Sequence, residues 1–134
     1  MKMPRGLVVL GVVLGPLLAA LAQGEKVVPL DEAAKMVNKD VTIEFVVRAT
    51  GKSKAGDKVF LNSEADFKSE KNFTVLLTKP ALAELKADRI DDPAAYFKGK
   101  RVQVYGTVKL YKDRPEIAVE KAGQIKEVKS EPGQ

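Results

Sequence analysis

The stretch VYGTVKLYKDRPEIAV, residues 104–119, predicts two antiparallel strands joined by a tight turn. One side of the first strand is apolar or small, with Val104, Gly106, Val108 and Leu110. The other side carries rings and a cation, namely Tyr105, Lys109 and Tyr111. A period of two is typical of a strand with one buried face. The stretch therefore predicts a hairpin, and its outer face is either a ligand-binding surface or an ordinary solvated one.

Outward from this hairpin, the chain predicts three earlier strands. VTIEFVVRATGKSK (41–54) alternates as a long strand, KVFLN (58–62) is short, and NFTVLL (72–77) alternates again. PALAELKA (80–87) predicts a helix that begins at Pro80, and a second short helix is expected from Asp92 and Pro93. LDEAAKMV (30–37) predicts a short helix capped by Asp31, and QIKEV (124–128) a last extended segment.

This order of elements predicts an all-β class with one or two short helices. Five strands with a helix between the third and fourth fit the five-stranded Greek-key barrel called the OB-fold. Gly51 and Gly106 would let the long strands bend at barrel corners. Another small barrel or an open α+β sheet is the alternative. The expected core consists of Val41, Ile43, Phe45, Phe73, Val75, Val102, Val104 and Val108.

The N-terminal segment has the pattern of a secretory signal. Lys2 and Arg5 precede an apolar run at 6–18, and Ala20 and Ala22 fit a cleavage site before Gln23. The run is shorter than the roughly 20 residues that a membrane span needs, although an uncleaved anchor is the alternative. We expect a signal at 1–22, an extension with a short helix at 23–39, an OB domain at 40–128 and a tail at 129–134. We also expect an exported monomer, periplasmic or secreted, with no integral membrane segment after cleavage.

The composition excludes several kinds of chemistry. The chain has 134 residues with no His and no Cys, so it lacks imidazole bases, thiol nucleophiles and disulfides. Removing Lys2 and Arg5 with the signal lowers the formal net charge from +5 to a mild +3. The sequence has no P-loop spacing, and Ser53 between two lysines is a poor candidate for a catalytic dyad. We therefore expect no enzyme activity and no cofactor.

An acidic segment offers one candidate metal site. Glu64, Asp66 and Glu70 could supply oxygen ligands to Ca²⁺. Lys68 and Lys71 lie among them, and no glycine provides the sharp turn of an EF-hand loop. A solvated loop is the favoured interpretation, and we expect no metal.

Residues 40–128 resemble the nucleic-acid-binding type of OB domain found in some exported bacterial proteins. The resemblance lies in Phe60-Leu61-Asn62, Asn72-Phe73-Thr74-Val75, Lys98-Gly99-Lys100, Arg114-Pro115-Glu116-Ile117 and Gln124-Ile125. It implies an OB-fold that binds nucleic acid and often accompanies nucleases or other DNA-handling modules. A family of small periplasmic OB stress proteins is less similar, because its usual Trp is absent here.

In an OB-fold the ligand usually crosses strands two and three, between the loops that join strands one to two and four to five. The first loop here carries Lys52, Lys54 and Lys58, and the second carries Lys112 and Arg114. If Val59 and Leu61 face inward, Phe60 and Asn62 face the ligand. Rings flanked by cations bind single strands by stacking and by phosphate contact. We expect single-stranded nucleic acid or another extended polyanion as the ligand, with an envelope protein or glycan as the alternative.

Overall fold

The computed structural model describes residues 26–129, which form seven strands and a few short helices. The strands are β1 (Asp40–Val46), β2 (Ala49–Lys52), β3 (Val59–Asn62), β4 (Thr74–Leu77), β5 (Arg101–Tyr111), β6 (Arg114–Val119) and β7 (Ile125–Glu127). The helices are α1 (Leu30–Ala33), α2 (Lys79–Ala87) and α3 (Pro93–Phe97), with a 3-10 turn at Ala122–Gln124. The predicted signal at 1–22 and the tail beyond 129 lie outside the described residues.

All seven strands belong to one sheet. Its order is β1-β5-β6-β4-β3-β2, and β7 pairs with β5 beside β1. Every pairing is antiparallel except that of β4 with β6. The two ends of this order, β1 and β2, are consecutive in the chain. Between them, Val47 N–H donates to Lys100 O and Arg48 N–H donates to Asn62 O, both at 2.9 Å.

The all-β class with short helices is confirmed, but the count of five strands is wrong for the described residues. The long first strand is interrupted at Val47 and Arg48, whose N–H groups turn to different partners, so it becomes β1 and β2. The segment after the 3-10 turn pairs with Val102–Val104 and becomes β7. Both changes depend on backbone pairing between distant segments.

The predicted core is confirmed. All eight of its residues are at most 4% exposed, and they pack with side chains from every strand except β2 and from all three helices. Leu110 is on the side of β5 predicted to face inward and is instead 51% exposed. It pairs with Pro115 where β5 and β6 extend beyond the core to their turn, so its side of the strand has no layer to pack against.

The helix predictions had mixed outcomes. Asp92 caps α3 as expected, because its Oδ1 accepts from Ala95 N–H at 3.4 Å. Asp31 does not cap α1, which begins one residue earlier, after Pro29. No helix among residues 26–129 has the length and apolar character needed to cross a bilayer.

Two local features shape the β5–β6 hairpin. A Cβ on Gly106 would lie 2.6 Å from Ile117 Cγ2, so the close approach of the strands requires glycine there. At the turn, Lys112 and Asp113 both adopt positive φ values, +52° and +64°. Two such residues form the turn type whose twist matches that of the flanking strands. The hairpin thus projects Tyr111 and Lys112 beyond the core.

Candidate functional site

An open groove of about 610 Å³ lies on the outer face of the sheet. Residues of β2, β3, β4 and β6 form its floor. The loop at 63–73 and the β5–β6 turn contribute its walls. The lining residues are Ala49, Thr50, Gly51, Lys52, Phe60, Asn62, Ala65, Phe67, Lys68, Thr74, Tyr111, Lys112, Arg114, Pro115 and Glu116.

Three aromatic rings line this groove. Phe60 lies half-buried on the floor, whereas Phe67 and Tyr111 are 60% and 59% exposed on the two walls. Each wall ring is followed by a lysine that lies over it. The Lys68 ammonium is 5.9 Å from the Phe67 ring centre, and the Lys112 ammonium is 5.4 Å from that of Tyr111. The walls therefore offer stacking surfaces and positive charge together.

A buried polar network holds the 63–73 loop in place. Asn72 Nδ2 donates to Asn62 Oδ1 at 3.0 Å and to Phe67 O at 3.4 Å, and its Oδ1 accepts from Glu64 N–H at 3.0 Å. Ser63 Oγ accepts from Phe73 N–H at 2.9 Å. Such satisfied networks fix one conformation, since breaking them would leave buried groups unpaired. The loop therefore presents Phe67 from a defined backbone.

Arg114 ties the same loop to the β5–β6 hairpin. Its Nη1 donates to Ser69 O at 2.9 Å and to Phe67 O at 3.5 Å. The sequence pattern predicts Arg114 as a cation that faces a ligand. The structure shows a half-buried guanidinium that lines the groove and also holds the loop that carries Phe67.

The floor of the groove carries one carboxylate. Glu116 is half-buried and makes no hydrogen bond or ion pair with the residues at 26–129. Burial raises the pKa of this carboxyl above its usual value, and the positive charge of Lys58 partly opposes that shift. A groove otherwise bordered by cations thus contains one negative position.

The groove brings together five of the seven residues predicted to bind a ligand: Lys52, Phe60, Asn62, Lys112 and Arg114. Lys52 also pairs with Asp92 at 3.4 Å. Asn62 faces the groove as expected, but the 63–73 loop covers it and leaves it only 6% exposed. Lys54 and Lys58 are exposed and do not line the groove.

The sequence patterns did not indicate Phe67, Lys68, Thr74 and Glu116 as groove residues, and they left the role of Tyr111 open. One signal was present for the two walls. Phe67-Lys68 and Tyr111-Lys112 are the same dipeptide type, a ring followed by a lysine, the first in a polar connection and the second at the end of β5. The contribution of the long 63–73 loop could not be predicted, because its direction depends on Asn72 and Arg114.

The acidic segment that contains Glu64, Asp66 and Glu70 belongs to the 63–73 loop beside the groove. Among residues 26–129, no three acidic side chains are grouped in a way that could hold a metal ion. Asp66 Oδ1 instead accepts from the backbone N–H of Lys68 at 2.9 Å. Asp66 thus helps to shape the wall of the groove.

The sequence matches no protein-family model and no curated protein. Its fold is similar to part of asparaginyl-tRNA synthetase from Pyrococcus horikoshii, with a TM-score of 0.55 and 20% identity over 78% of this chain. Its fold is also similar to part of aspartyl tRNA synthetase from Entamoeba histolytica, with a TM-score of 0.52 and 20% identity over 79% of this chain. A third similar structure is an OBody bound to hen egg-white lysozyme, with a TM-score of 0.55 and 15% identity. The match covers 79% of this chain and 96% of the OBody chain.

At these identities the likenesses concern the fold alone. The chain spans only 23% and 22% of the two synthetase chains, so it corresponds to one domain of each. The strand order, the parallel β4–β6 pair and these neighbours together identify an OB-like fold.

Proposed function

We propose that this protein is a binding module for single-stranded nucleic acid and that the groove is its binding site. One observation carries the proposal: three aromatic rings, Phe60, Phe67 and Tyr111, lie in a single groove bordered by lysines. Proteins that bind single strands combine stacking platforms with a positively charged path for the backbone. The groove offers both, and the chain lacks His and Cys for common catalytic arrangements.

The side chains divide into two roles in this proposal. The rings stack bases, each contributing about 1–3 kcal/mol. Lys52, Lys68 and Lys112 contact phosphates along the rims. The lysines that lie over Phe67 and Tyr111 would leave the ring faces when bases stack there.

The fold neighbours support the proposal without extending it to catalysis. Two of them are aminoacyl-tRNA synthetases, enzymes whose names include a nucleic acid. This chain corresponds to less than a quarter of either, so no synthetase activity is proposed for it.

The proposal is tested by the binding of residues 23–134 to a fluorescent DNA single strand. Affinity should fall steeply between about 50 and 200 mM salt, because phosphate contacts release counterions. Phe67→Ala should weaken binding about 5- to 100-fold with little change in the salt slope, since stacking releases few ions. Tyr105→Ala, which removes an exposed ring outside the groove, is the matched control and should bind normally.

Two results would contradict the proposal. The first is no binding to any DNA or RNA single strand at low salt. The second is equal loss of affinity in the Phe67 and Tyr105 variants, which would place the site elsewhere. Binding to an envelope protein or a glycan with little salt dependence would favour the alternative interaction module.

We also propose that the protein is exported. The support is the basic start, the apolar run at 6–18 and the Ala20-Leu21-Ala22 cleavage pattern. The intact mass of protein recovered outside the cytoplasm should correspond to a chain that begins at Gln23. A mass that includes Met1 would contradict cleavage.

A further inference from the structure

Three polar side chains form a row across the floor of the groove. Strand pairing sets Asn62 beside Thr74, and Thr74 beside Glu116, on β3, β4 and β6. All three residues line the groove. Neighbouring strands lie about 4.8 Å apart, so the backbones of Asn62 and Glu116 are about 10 Å apart. Their side chains can therefore contact the two ends of one planar group between them.

The hydrogen-bond network fixes the orientation of the Asn62 amide. Because Glu64 N–H donates to Asn72 Oδ1, the Asn72 amide presents its nitrogen to Asn62. Asn62 accepts this hydrogen bond with its Oδ1, which also accepts from Thr74 Oγ1 at 2.8 Å. Among residues 26–129, nothing accepts a hydrogen bond from Asn62 Nδ2, and this nitrogen is not sealed from solvent. Asn62 therefore offers a free donor to the groove.

Glu116 offers the opposite chemistry at the other end of the row. Its carboxylate is half-buried and has no hydrogen-bond donor or cation bonded to it within the described chain. An ionised carboxylate only accepts hydrogen bonds, and it can accept two side by side. It also repels phosphate. The group that lies here should be neutral and should present donors.

A guanine base meets these requirements. Its Watson–Crick edge presents one acceptor, O6, followed by two adjacent donors, N1–H and the N2 amine. Adenine and cytosine present one amine beside an acceptor, and thymine presents one N–H between two carbonyl oxygens. We propose that Asn62 and Glu116 select guanine on the groove floor, with Asn62 Nδ2 donating to O6 and Glu116 accepting from N1 and N2. This inference rests on the proposed binding of single strands.

The test uses five-nucleotide DNA strands with flanking thymidines and a central guanosine, adenosine, cytidine, thymidine or inosine. We expect the guanine strand to bind about ten- to a hundredfold more tightly than the all-thymidine strand at one low salt concentration. The inosine strand, which lacks the N2 amine, should bind with an affinity between those of the guanine and all-thymidine strands. Fluorescence anisotropy measures all the affinities under identical conditions.

Glu116→Gln tests whether the Glu116 carboxylate selects the base. The variant keeps the shape but loses the paired acceptors, so the guanine preference should disappear. Glu120→Gln removes an exposed carboxylate outside the groove and should keep the preference. Circular dichroism of both variants confirms that they fold.

The outcomes distinguish this inference from the function on which it rests. If the strands bind with steep salt dependence but equal affinity, or if the guanine preference survives Glu116→Gln, the inference is wrong and the binding function stands. If no strand binds at low salt, the proposed function fails and the inference fails with it.

Discussion

Reversing Lys52, Lys68 and Lys112 to glutamate is expected to weaken the binding of single-stranded DNA by at least about a hundredfold. All three lysines line the groove, and the change replaces three attractive phosphate interactions with three repulsive charges. The remaining binding should also depend less on salt, because the salt slope falls by about one for each lysine that no longer binds a phosphate. Anisotropy titrations at several salt concentrations measure both effects.

The choice of lysines follows from the structure. Arg114 is left unchanged, because its guanidinium bonds to Ser69 O and its loss would release the wall that carries Phe67. Lys54 and Lys58 are left unchanged because they do not line the groove.

A control with the same charge change separates a local effect from that of the overall charge. Lys35, Lys98 and Lys126 are exposed and lie outside the groove, so their reversal to glutamate matches the net charge of the test variant. The control should lose far less affinity. Comparable losses in the two triple variants would mean that binding follows net charge and that the groove is not the site.

Phe45→Ala is expected to lower the free energy of unfolding by about 3–5 kcal/mol. Phe45 is 4% exposed on β1, pairs with Val102 on β5 and belongs to the core cluster. Removing its ring takes apolar surface out of the core and leaves a cavity that packed strands cannot fill. Urea unfolding followed by circular dichroism measures the change.

Phe67→Ala is the matched control for stability, since it deletes the same ring from an exposed wall. Its effect on unfolding should stay within about 0.5 kcal/mol. Together the two variants assign one ring to the core and the other to the surface. Equal shifts in the urea midpoint would contradict that assignment.

The sequence by itself predicted the buried face of each long strand. Hydrophobic alternation in 41–47 and 102–108 depends only on the period of two along an extended chain, and the burial of Phe45 and Val104 confirms it. The start of α3 was also predictable from the local sequence, because Asp92 is the helix cap and Pro93 is the first helical residue. Lys52, Lys112 and Phe60 line one groove, and the fold class alone indicates that their segments lie near one another.

Only the tertiary structure decided the contents of the groove. Phe67 lies on a wall of the groove because Asn72 and Arg114 donate hydrogen bonds to its carbonyl oxygen. These two residues come 5 and 47 positions later in the chain. Arg114, which the sequence predicted as a ligand-binding cation, also supports that wall. Glu116 lies in the same row as Asn62 because β6 pairs with β4 and β4 pairs with β3. Local patterns determine which face of a strand is apolar, whereas the hydrogen bonds that orient a loop or align three strands join residues that are distant in the sequence. Their geometry exists only once the chain has folded.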